Sequence, residues 1–514
     1  MSLRQLELPI TQRFSTPRLD VGYRERLDDL LWSDLNFHSK SSAYASHNFH
    51  AFPAKFPPQL PRKFINGLTE PGEIVLDPMV GSGTTVVEAF LTGRQAIGFD
   101  IDPMALRVCK AKVTPLALEE TATAGSRVLR RAEESLRHDG AKLHQELDAR
   151  FGETEREFID YWFLPSTQLE LMALMREIEH VQAPHIREFL ELAFSAIIIT
   201  KSGGVSMARD LAHTRPHRVQ DKTPRSALGE YRKRLRKNLN NLATLTRGSG
   251  KVEILSSDAQ SLALGDNTID LIVTSPPYAS NAIDYMRAHK FSLVWFGHSL
   301  NSLAQLRREY IGHDAVTGIE YVELPESTCQ VVDSIAGIDS KKSKVLHRYY
   351  SEMTRCLAEM VRVLKPGKAA VIVAGSSTMR GMDTRTDVCL GEIGIHVGFE
   401  LRGIAVRKLD RDRRMMPARR KHSPVHSQIE ERMHEEYVIG FLKPESGKLD
   451  GAIQCSNRSM SDRKLALILR PQAACTHPET PDSQGRPAGR AWGASPGPRW
   501  TPASPPRPGR AVCR

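Results

Sequence analysis

The chain has 514 residues, of which 25% are charged and 40% hydrophobic, and its formal net charge is +11. This length is sufficient for an α/β domain with one or two additions, and the excess of cations favours a polyanionic partner. No run of about 18 apolar residues occurs, which argues against a membrane partner, and the first residues lack the apolar stretch of a signal peptide, so we expect a cytoplasmic protein.

Cysteine and histidine spacing gives no sign of a metal site. The seven cysteines form no CxxC pair, so neither a disulfide framework nor a zinc knuckle is predicted. The histidines do not form a compact ligand set on a clear helix, and we therefore expect no metal.

The first informative segment is Asp77-Pro-Met-Val-Gly-Ser-Gly-Thr-Thr85, which follows the apolar run Ile74-Val-Leu76 and precedes a helical pattern. A glycine loop between a strand and a helix lets backbone amides approach a ligand closely. Thr84 and Thr85 stand where a triphosphate-binding loop would need its lysine. The loop therefore favours a nucleoside cofactor without a triphosphate.

The next apolar run, residues 96–99, ends at Asp100, about 20 residues after the loop, the interval at which an acidic residue commonly meets ribose hydroxyls. The chain is then interrupted from about 116 to 248. Apolar residues at three- and four-residue spacing predict helices there at 119–147, 166–182, 186–199 and 231–246. This interruption is too long to be a connection within one sheet, and we interpret it as an inserted helical subdomain.

The second informative segment is Thr274-Ser-Pro-Pro-Tyr278, at the end of the apolar run 269–273. Two consecutive prolines stop a strand and fix the backbone, so the adjacent carbonyls form a rigid acceptor site. The remaining predicted strands are 252–255, 369–374, 401–406 and 437–442, with a helix at 348–364 before the strand at 369.

Three segments are candidates for contact with a polyanion. One is the basic stretch from 201 to 237 within the insertion, another is the polar stretch 317–344, and the third lies between the last two strands. We favour the third because its charge is dense and single-signed; it contains Arg407, Lys408, Arg411, Arg413, Arg414, Arg419, Arg420 and Lys421. Residues 471–514 are rich in proline and arginine and nearly lack aliphatic residues, which predicts disorder.

These motifs resemble the S-adenosylmethionine-dependent DNA amino-methyltransferases, and most closely the cytosine-N4 branch that carries Ser-Pro-Pro-Tyr. The resemblance covers about residues 44–115 and 250–443, including a segment at 47–58 similar to the one that closes over the methionine end of the cofactor. It implies a Rossmann-like α/β fold with a seven-stranded methyltransferase sheet whose last two strands pair antiparallel. The helical insertion and the disordered tail are additions to that fold.

The resemblance also implies roles for individual residues. Ser275 and the Pro276 carbonyl would accept hydrogen bonds from the target amine, and Tyr278 would stack on a flipped base beside Pro277. An exocyclic amine is a poor nucleophile, so acceptors aimed at its hydrogens would localise its lone pair. The S-adenosylmethionine site would comprise Phe52, Lys55, Asp77, Pro78, Gly81, Gly83, Thr84, Asp100 and Asp258. The Arg413, Arg414, Arg419, Arg420 and Lys421 cluster would contact DNA.

The sequence therefore predicts five segments: an N-terminal segment (1–43), a cofactor-binding half (44–115), a helical insertion (116–248), a catalytic half (249–445) and a linker with tail (446–514). The expected reaction is methylation of cytosine N4 in double-stranded DNA, and such an enzyme suggests a cognate restriction endonuclease as a partner. Adenine N6 as the target, an RNA base methyltransferase and a non-catalytic nucleic-acid-binding protein are the alternatives. The sequence does not give the oligomeric state.

Overall fold

The computed structural model describes residues 22–53, 55–200, 204–209, 211, 216–245, 248–279, 284–409 and 435–445. The predicted basic cluster from 411 to 421 and the tail from 471 lie outside these residues, as does the segment 1–21.

The strands follow the apolar runs of the sequence. They are β1 Ile74–Asp77, β2 Gln95–Asp100, β3 Ala208–Arg209, β4 His217–Arg218, β5 Val252–Ser256, β6 Ile269–Thr274, β7 Leu364–Ala374, β8 Thr378–Met379, β9 Met382–Asp383, β10 Glu400–Lys408 and β11 Glu435–Leu442.

Seven of these strands form one mixed sheet in the order β10-β11-β7-β6-β1-β2-β5. The pairs from β7 to β5 are parallel, whereas β11 lies antiparallel to both β7 and β10. The predicted seven-stranded sheet is confirmed, and so is the antiparallel pairing of the last two strands. Because β1 and β6 are adjacent and parallel, the two motifs that follow them emerge at the same edge of the sheet.

The helices cover both faces of the sheet and build the insertion. They are α1 Tyr23–Leu31, α2 Gln59–Leu68, α3 Thr84–Leu91, α4 Pro103–Val113, α5 Leu118–His138, α6 Gly140–Arg150, α7 Glu153–Trp162, α8 Pro165–Glu179, α9 Pro184–Ile198, α10 Ala227–Leu245, α11 Tyr285–Leu293, α12 Leu300–Arg308, α13 Glu326–Ala336, α14 Ser340–Val363 and α15 Thr386–His396.

The central strands are buried on both faces, which explains their continuous apolar sequences. Every residue of β6 is buried. Successive side chains point to opposite faces: Val75 and Leu271 pack in the apolar layer with α1, α2 and α3, whereas Leu76 and Ile272 pack in the layer with α13, α14 and α15. The sheet is thus the middle layer of a three-layer α/β arrangement.

Helix α1 covers the antiparallel end of the sheet, a contact that the sequence did not predict. Leu27 and Leu31 of this helix are fully buried. An added Cβ at Gly440 would stand 2.4 Å from a Leu31 methyl carbon, so the missing side chain in β11 makes room for the helix. Ion pairs of Arg402 with Asp28 and of Arg24 with Glu400 add to this contact.

The helical insertion contributes most of one apolar cluster, to which α4 and α11 also contribute residues. Trp295, Phe291, Phe163 and Phe194 are fully buried within it, with Trp295 in edge-to-face contact with Phe163 at a ring separation of 5.9 Å. Aromatic pairs of this geometry add to the stability from burial alone. The insertion is therefore packed against the sheet domain through α4 and α11.

Several predicted helices differ from those observed. The predicted helix 119–147 is divided into α5 and α6 at Asp139, and α7 was not predicted. The predicted helix 348–364 begins earlier, at Ser340. Lys365-Pro366-Gly367, which follow the predicted end of this helix, lie within β7, where Gly367 has φ +74°. The strand begins directly after α14 because β7 pairs with β6 and β11, and this pairing overrides the turn propensity of proline and glycine.

Candidate functional site

A pocket lies at the carboxyl edge of β1, β2, β5 and β6. Its lining comes from seven parts of the chain, and the residues are Phe52, Pro78, Met79, Gly81, Asp100, Ile101, Asp102, Ala105, Ser257, Asp258, Ala259, Ser275, Pro277, Tyr285, Tyr310 and Ile311. The pocket therefore combines the glycine loop, the acidic ends of two strands and the Ser-Pro-Pro segment. Ligands of open α/β sheets bind at this edge.

The glycine loop turns sharply at two residues with left-handed backbone. Gly81 has φ +46° and Gly83 has φ +79°, conformations that side chains other than glycine rarely adopt. An added Cβ at Gly83 would lie 2.9 Å from the Cys109 sulfur. At Gly81 it would lie 3.5 Å from the Phe52 ring, on the pocket lining. The missing side chains leave room for a ligand on one side and for α4 on the other.

Asp100 shapes the loop from the end of β2. One carboxylate oxygen accepts from the Gly81 amide at 2.9 Å, and the other accepts from the Asp102 amide at 2.9 Å. Burial, with the nearby Asp102 charge, raises the pKa of the Asp100 carboxyl to about 7. The residue is half-buried at the pocket lining, so a hydroxyl donor of a bound nucleoside would stabilise its charged form.

Asp102 has a structural task beside Asp100. It begins α4 by accepting from the Met104 amide at 2.7 Å, an N-cap that satisfies a free helix amide. Its second oxygen contacts Nδ1 of the fully buried His289 at 2.5 Å. Although burial raises the pKa of the Asp102 carboxyl, His289 and the hydrogen bonds hold it below its usual value.

Sequence reasoning missed the aromatic part of the lining. Tyr285 at the start of α11 and Tyr310 after α12 face the pocket, and the Phe52 ring lies 5.3 Å from that of Tyr285 and 5.2 Å from that of His289. The spacing Tyr285, His289 (i, i+4) on a helix just after Ser-Pro-Pro-Tyr is the signal that would have suggested a shared face.

The predicted cofactor residues fall into two groups. Phe52, Pro78, Gly81, Asp100 and Asp258 line the pocket. The half-buried Asp258 carboxylate accepts from the Gln260 amide at 2.9 Å, which fixes its position at the end of β5.

The second group lies beside or behind the pocket lining. Thr84 contacts the Ser82 hydroxyl at 3.1 Å, and Gly83 is the residue before α3. Lys55 Nζ donates to the His47 carbonyl at 2.8 Å, so it holds the 47–58 segment together. Asp77 is buried and accepts from the Thr274 hydroxyl at 2.7 Å.

The contact between Asp77 and Thr274 joins the two motifs directly. The residues are 197 positions apart in sequence, but β1 and β6 are neighbours. Burial raises the pKa of the Asp77 carboxyl to about 6, while the Thr274 hydrogen bond favours the charged form. This contact fixes the start of the glycine loop relative to Ser275.

Histidines near the pocket make structural contacts. Nε2 of His47 contacts Glu88 at 2.6 Å, and Tyr44 donates to the same carboxylate oxygen at 2.7 Å. His50 Nε2 contacts the Ser195 hydroxyl of α9 at 2.9 Å. Within the described residues, no group of three or more His, Cys, Asp or Glu side chains could hold a metal ion.

The segment Ser275-Pro276-Pro277-Tyr278 follows β6 at the carboxyl ends of the parallel strands. Ser275 and Pro277 line the pocket, and Pro276 is buried. Among the described residues, none forms a hydrogen bond with the Ser275 hydroxyl, which therefore remains available to a ligand.

Tyr278 is held from the antiparallel end of the sheet. Its hydroxyl donates to Glu436 of β11 at 3.1 Å, and Glu436 is in turn paired with the buried Arg407 of β10. Burial and the Glu436 charge raise the pKa of the Tyr278 hydroxyl well above its usual value, so it remains a neutral donor. The predicted DNA-contacting residues Arg413, Arg414, Arg419, Arg420 and Lys421 lie between these strands, outside the described residues.

Comparisons with known proteins agree with this geometry. A family model described as DNA methylase matches residues 21–111. The type II methyltransferase M.MvaI of Kocuria varians is 25% identical over 383 residues, which cover 70% of this chain and 83% of that protein. The type II methyltransferase M.BsoBI of Geobacillus stearothermophilus is 22% identical over 401 residues, covering 69% and 78%.

Residues 21–111 are thus similar to the DNA methylase family, and the two type II methyltransferases extend this similarity to about two thirds of the chain. This DNA methyltransferase uses S-adenosylmethionine as its methyl donor. Among solved structures, a TehB-like SAM-dependent methyltransferase from Corynebacterium glutamicum matches at 10% identity over 74% of this chain and 86% of that one, with a TM-score of 0.24.

The chemistry of the pocket fits this cofactor. Two carboxylates, Asp100 and Asp258, line the pocket, where carboxylate oxygens can accept hydrogen bonds from hydroxyl and amino groups of a nucleoside, and Gly81 leaves the loop without a side chain. No helix of the described residues is long and apolar enough to cross a membrane.

Proposed function

We propose that this methyltransferase modifies the exocyclic N4 amine of a flipped cytosine in double-stranded DNA. The observation that carries the proposal is the position of Ser275, whose half-buried side chain shares one pocket with Asp100 and Asp258. The acceptor for the target amine would thus lie in the same pocket as the carboxylates that would hold the cofactor.

The Ser-Pro-Pro-Tyr segment would act on the target amine without a covalent intermediate. The Ser275 hydroxyl and the Pro276 carbonyl would accept hydrogen bonds from the amine, which concentrates its lone pair on nitrogen. S-adenosylmethionine supplies an electrophilic methyl group when bound. Tyr278, held by Glu436, would stack on the extruded base and offset part of the unstacking cost of a few kcal/mol.

The choice of cytosine over adenine depends on Ser275. A neutral hydroxyl is a weaker acceptor than the aspartate found in related motifs, and Ser-Pro-Pro-Tyr is the form associated with cytosine N4. Adenine N6 remains the alternative target. The similarity to two type II methyltransferases supports a role in restriction and modification, with a cognate endonuclease as partner.

The cofactor site that we propose consists of nine residues with two kinds of role. Those that line the pocket would touch the cofactor, and they are Phe52, Pro78, Gly81, Asp100 and Asp258. The others would act from behind the lining, by holding the loop and the 47–58 segment in place, and they are Lys55, Asp77, Gly83 and Thr84.

Product analysis tests the proposal. Duplex DNA and single-stranded RNA are incubated separately with enzyme and S-adenosylmethionine, digested to nucleosides and examined by mass spectrometry. We expect N4-methylcytosine from DNA and no methylated product from RNA. N6-methyladenine would establish the alternative target, and 5-methylcytosine would refute the mechanism because that chemistry requires a cysteine nucleophile.

For the DNA backbone we propose contacts from Arg413, Arg414, Arg419 and Arg420, with Lys421. Neutralising the four arginines should weaken duplex binding and reduce the log–log salt slope by about 0.9 for each phosphate that the protein no longer neutralises. Cofactor affinity, measured by calorimetry, should not change. An unaltered salt slope would show that this cluster does not contact the backbone.

A further inference from the structure

A concave basic surface lies on the helical insertion, formed by α10, the residues just before it and the end of α9. We call it the α10 groove. Its charged lining consists of five cations and one carboxylate: Lys222, Arg225, Lys233, Arg234, Lys237 and Glu230. A concave surface with one dominant sign of charge concentrates the field on its ligand.

The spacing of charged residues along α10 places them on one face of the helix. Glu230, Lys233, Arg234 and Lys237 follow the i, i+3, i+4, i+7 spacing of one helix face. Another face of the helix is buried in the insertion and carries Tyr231, Leu235 and Leu242. Burial of that face fixes the direction in which the cations point.

The charges in the groove are not cancelled by its own carboxylate. Glu230 lies 2.9 Å from Lys233 and 3.6 Å from Arg225, so two cations share one anion. The side chains of Arg225 and Lys233 are 78% and 64% exposed, and exposed pairs of this kind contribute little stability. Arg225 and Lys233 can therefore bind a phosphate in place of Glu230.

Two further cations of the groove are held in place by hydrogen bonds to backbone carbonyls. Lys222 Nζ donates to the Ala208 carbonyl at 2.8 Å, and burial lowers the pKa of this amine to about 8. The half-buried Arg234 donates to the Asn48 carbonyl at 3.5 Å. The groove is therefore a formed surface rather than a set of freely moving side chains.

Helix α10 is also bonded to the segment that reaches the cofactor pocket. Asn238 donates to the Phe49 carbonyl at 3.3 Å, and Asn241 donates to the Asn48 side chain. Further along that segment, Phe52 lines the pocket. The groove is thus connected to the candidate active site through residues 48–52.

We propose that the α10 groove binds the phosphodiester backbone of duplex DNA and contributes to holding the substrate on the enzyme. This assignment rests on the proposed function, since it takes duplex DNA as the substrate. Lysine and arginine contacts to phosphate are sequence-independent and position the protein on the duplex. The groove would therefore set affinity and salt dependence, leaving base recognition to other segments.

The test compares two lysine pairs in the full-length protein. The groove variant carries Lys233→Gln and Lys237→Gln. The control variant carries Lys110→Gln and Lys142→Gln, which are exposed residues of α4 and α6 outside the three candidate stretches. Duplex binding is measured by fluorescence anisotropy over a range of salt concentrations, and S-adenosylmethionine binding is measured by calorimetry.

We expect the log–log salt slope of the groove variant to be smaller than that of the wild type by up to about 1.8, from 0.9 per phosphate. Its cofactor affinity and melting temperature should equal those of the wild type, and the control should keep the wild-type slope. A wild-type slope in the groove variant, or a reduction confined to the control, would overturn the groove assignment alone. Failure of the wild type to bind duplex DNA would overturn the proposed substrate and the groove together.

Discussion

The two sides of the pocket use their polar groups differently. On the glycine-loop side, residues 77–83 and 100–102, the carboxylates already accept hydrogen bonds from protein groups: Asp77 from Thr274, Asp100 from Gly81, and Asp102 from Met104. On the Ser-Pro-Pro-Tyr side, residues 275–278, the one side-chain hydrogen bond among the described residues is that from Tyr278 to Glu436. The Ser275 hydroxyl has no partner among the described residues.

Because of this difference, we expect substitutions on the two sides to affect different steps: cofactor binding on the glycine-loop side and methyl transfer on the Ser-Pro-Pro-Tyr side. A substitution on the glycine-loop side changes the shape of the site as well as its ligand contacts, so cofactor affinity should respond. A substitution at Ser275 leaves the surrounding structure intact, so turnover should respond alone. Interactions made only in the transition state change turnover without changing ground-state binding.

The largest expected effect is that of Ser275→Ala. Turnover should fall by about 10²-fold or more if the acceptor acts chiefly in the transition state. The measurement is single-turnover methyl transfer to DNA, alongside calorimetry of S-adenosylmethionine binding, which should be unchanged. Ser261→Ala, at an exposed serine outside the pocket lining, is the matched control and should behave as wild type. Full activity in Ser275→Ala would leave the Pro276 carbonyl as the sole acceptor.

Asp100→Ala should act on binding rather than on turnover. The variant lacks both a hydrogen-bond acceptor for the cofactor and the hydrogen bond from the Gly81 amide. This loss should weaken S-adenosylmethionine binding by about 1.5–3 kcal/mol. Calorimetry measures this change in affinity, and the melting temperature reports any loosening of the loop. If affinity does not change, Asp102 becomes the next candidate for the ribose contact.

The pH dependence of cofactor binding is a second test of Asp100 as the residue that contacts the ribose. The pKa of Asp100 is raised to about 7 in the free protein, so the folded state holds a proton that the unfolded chain releases at lower pH. The contribution of Asp100 to stability therefore falls as pH rises from about 4 to 7. Hydroxyl donors of the cofactor favour the carboxylate, so affinity should rise with pH up to about 7 and then level.

The matched variant for this pH profile is Asp100→Asn, which keeps the shape and removes the charge. Its affinity should vary less with pH than that of the wild type between about pH 5.5 and 7.5, the range around the raised pKa. A profile as steep as the wild type would assign the dependence to another group, and Asp77, whose pKa is raised to about 6, is the nearest.

The smallest expected effect is that of Tyr278→Phe. This change removes the hydroxyl bonded to Glu436 and keeps the ring, so turnover should fall by no more than about tenfold, as one net hydrogen bond contributes about 0.5–1.5 kcal/mol. Tyr278→Ala also removes the stacking surface, which is worth about 1–3 kcal/mol per base, and should be clearly worse. Equal effects of the two variants would show that the hydroxyl, and not the ring, matters.

The sequence alone determined the sheet and both motifs. Buried strands require continuous apolar runs, and glycine or proline must stand where the backbone turns sharply, so these features are visible in short windows of sequence. The seven strands and the position of Asp100 at the end of β2 could be predicted for this reason. The start of β7 could not, because its pairing with β6 and β11 decided it, and neither could the start of α14 at Ser340.

Only the tertiary structure decided which distant groups meet. Thr274 contacts Asp77 across 197 residues, Tyr278 meets Glu436 across 158, and Arg234 reaches Asn48 across 186. Tyr285 and Tyr310 enter the pocket from segments without a motif. Local propensity carries no information on such contacts, since they depend on the order of the strands in the sheet and on how the insertion packs against it.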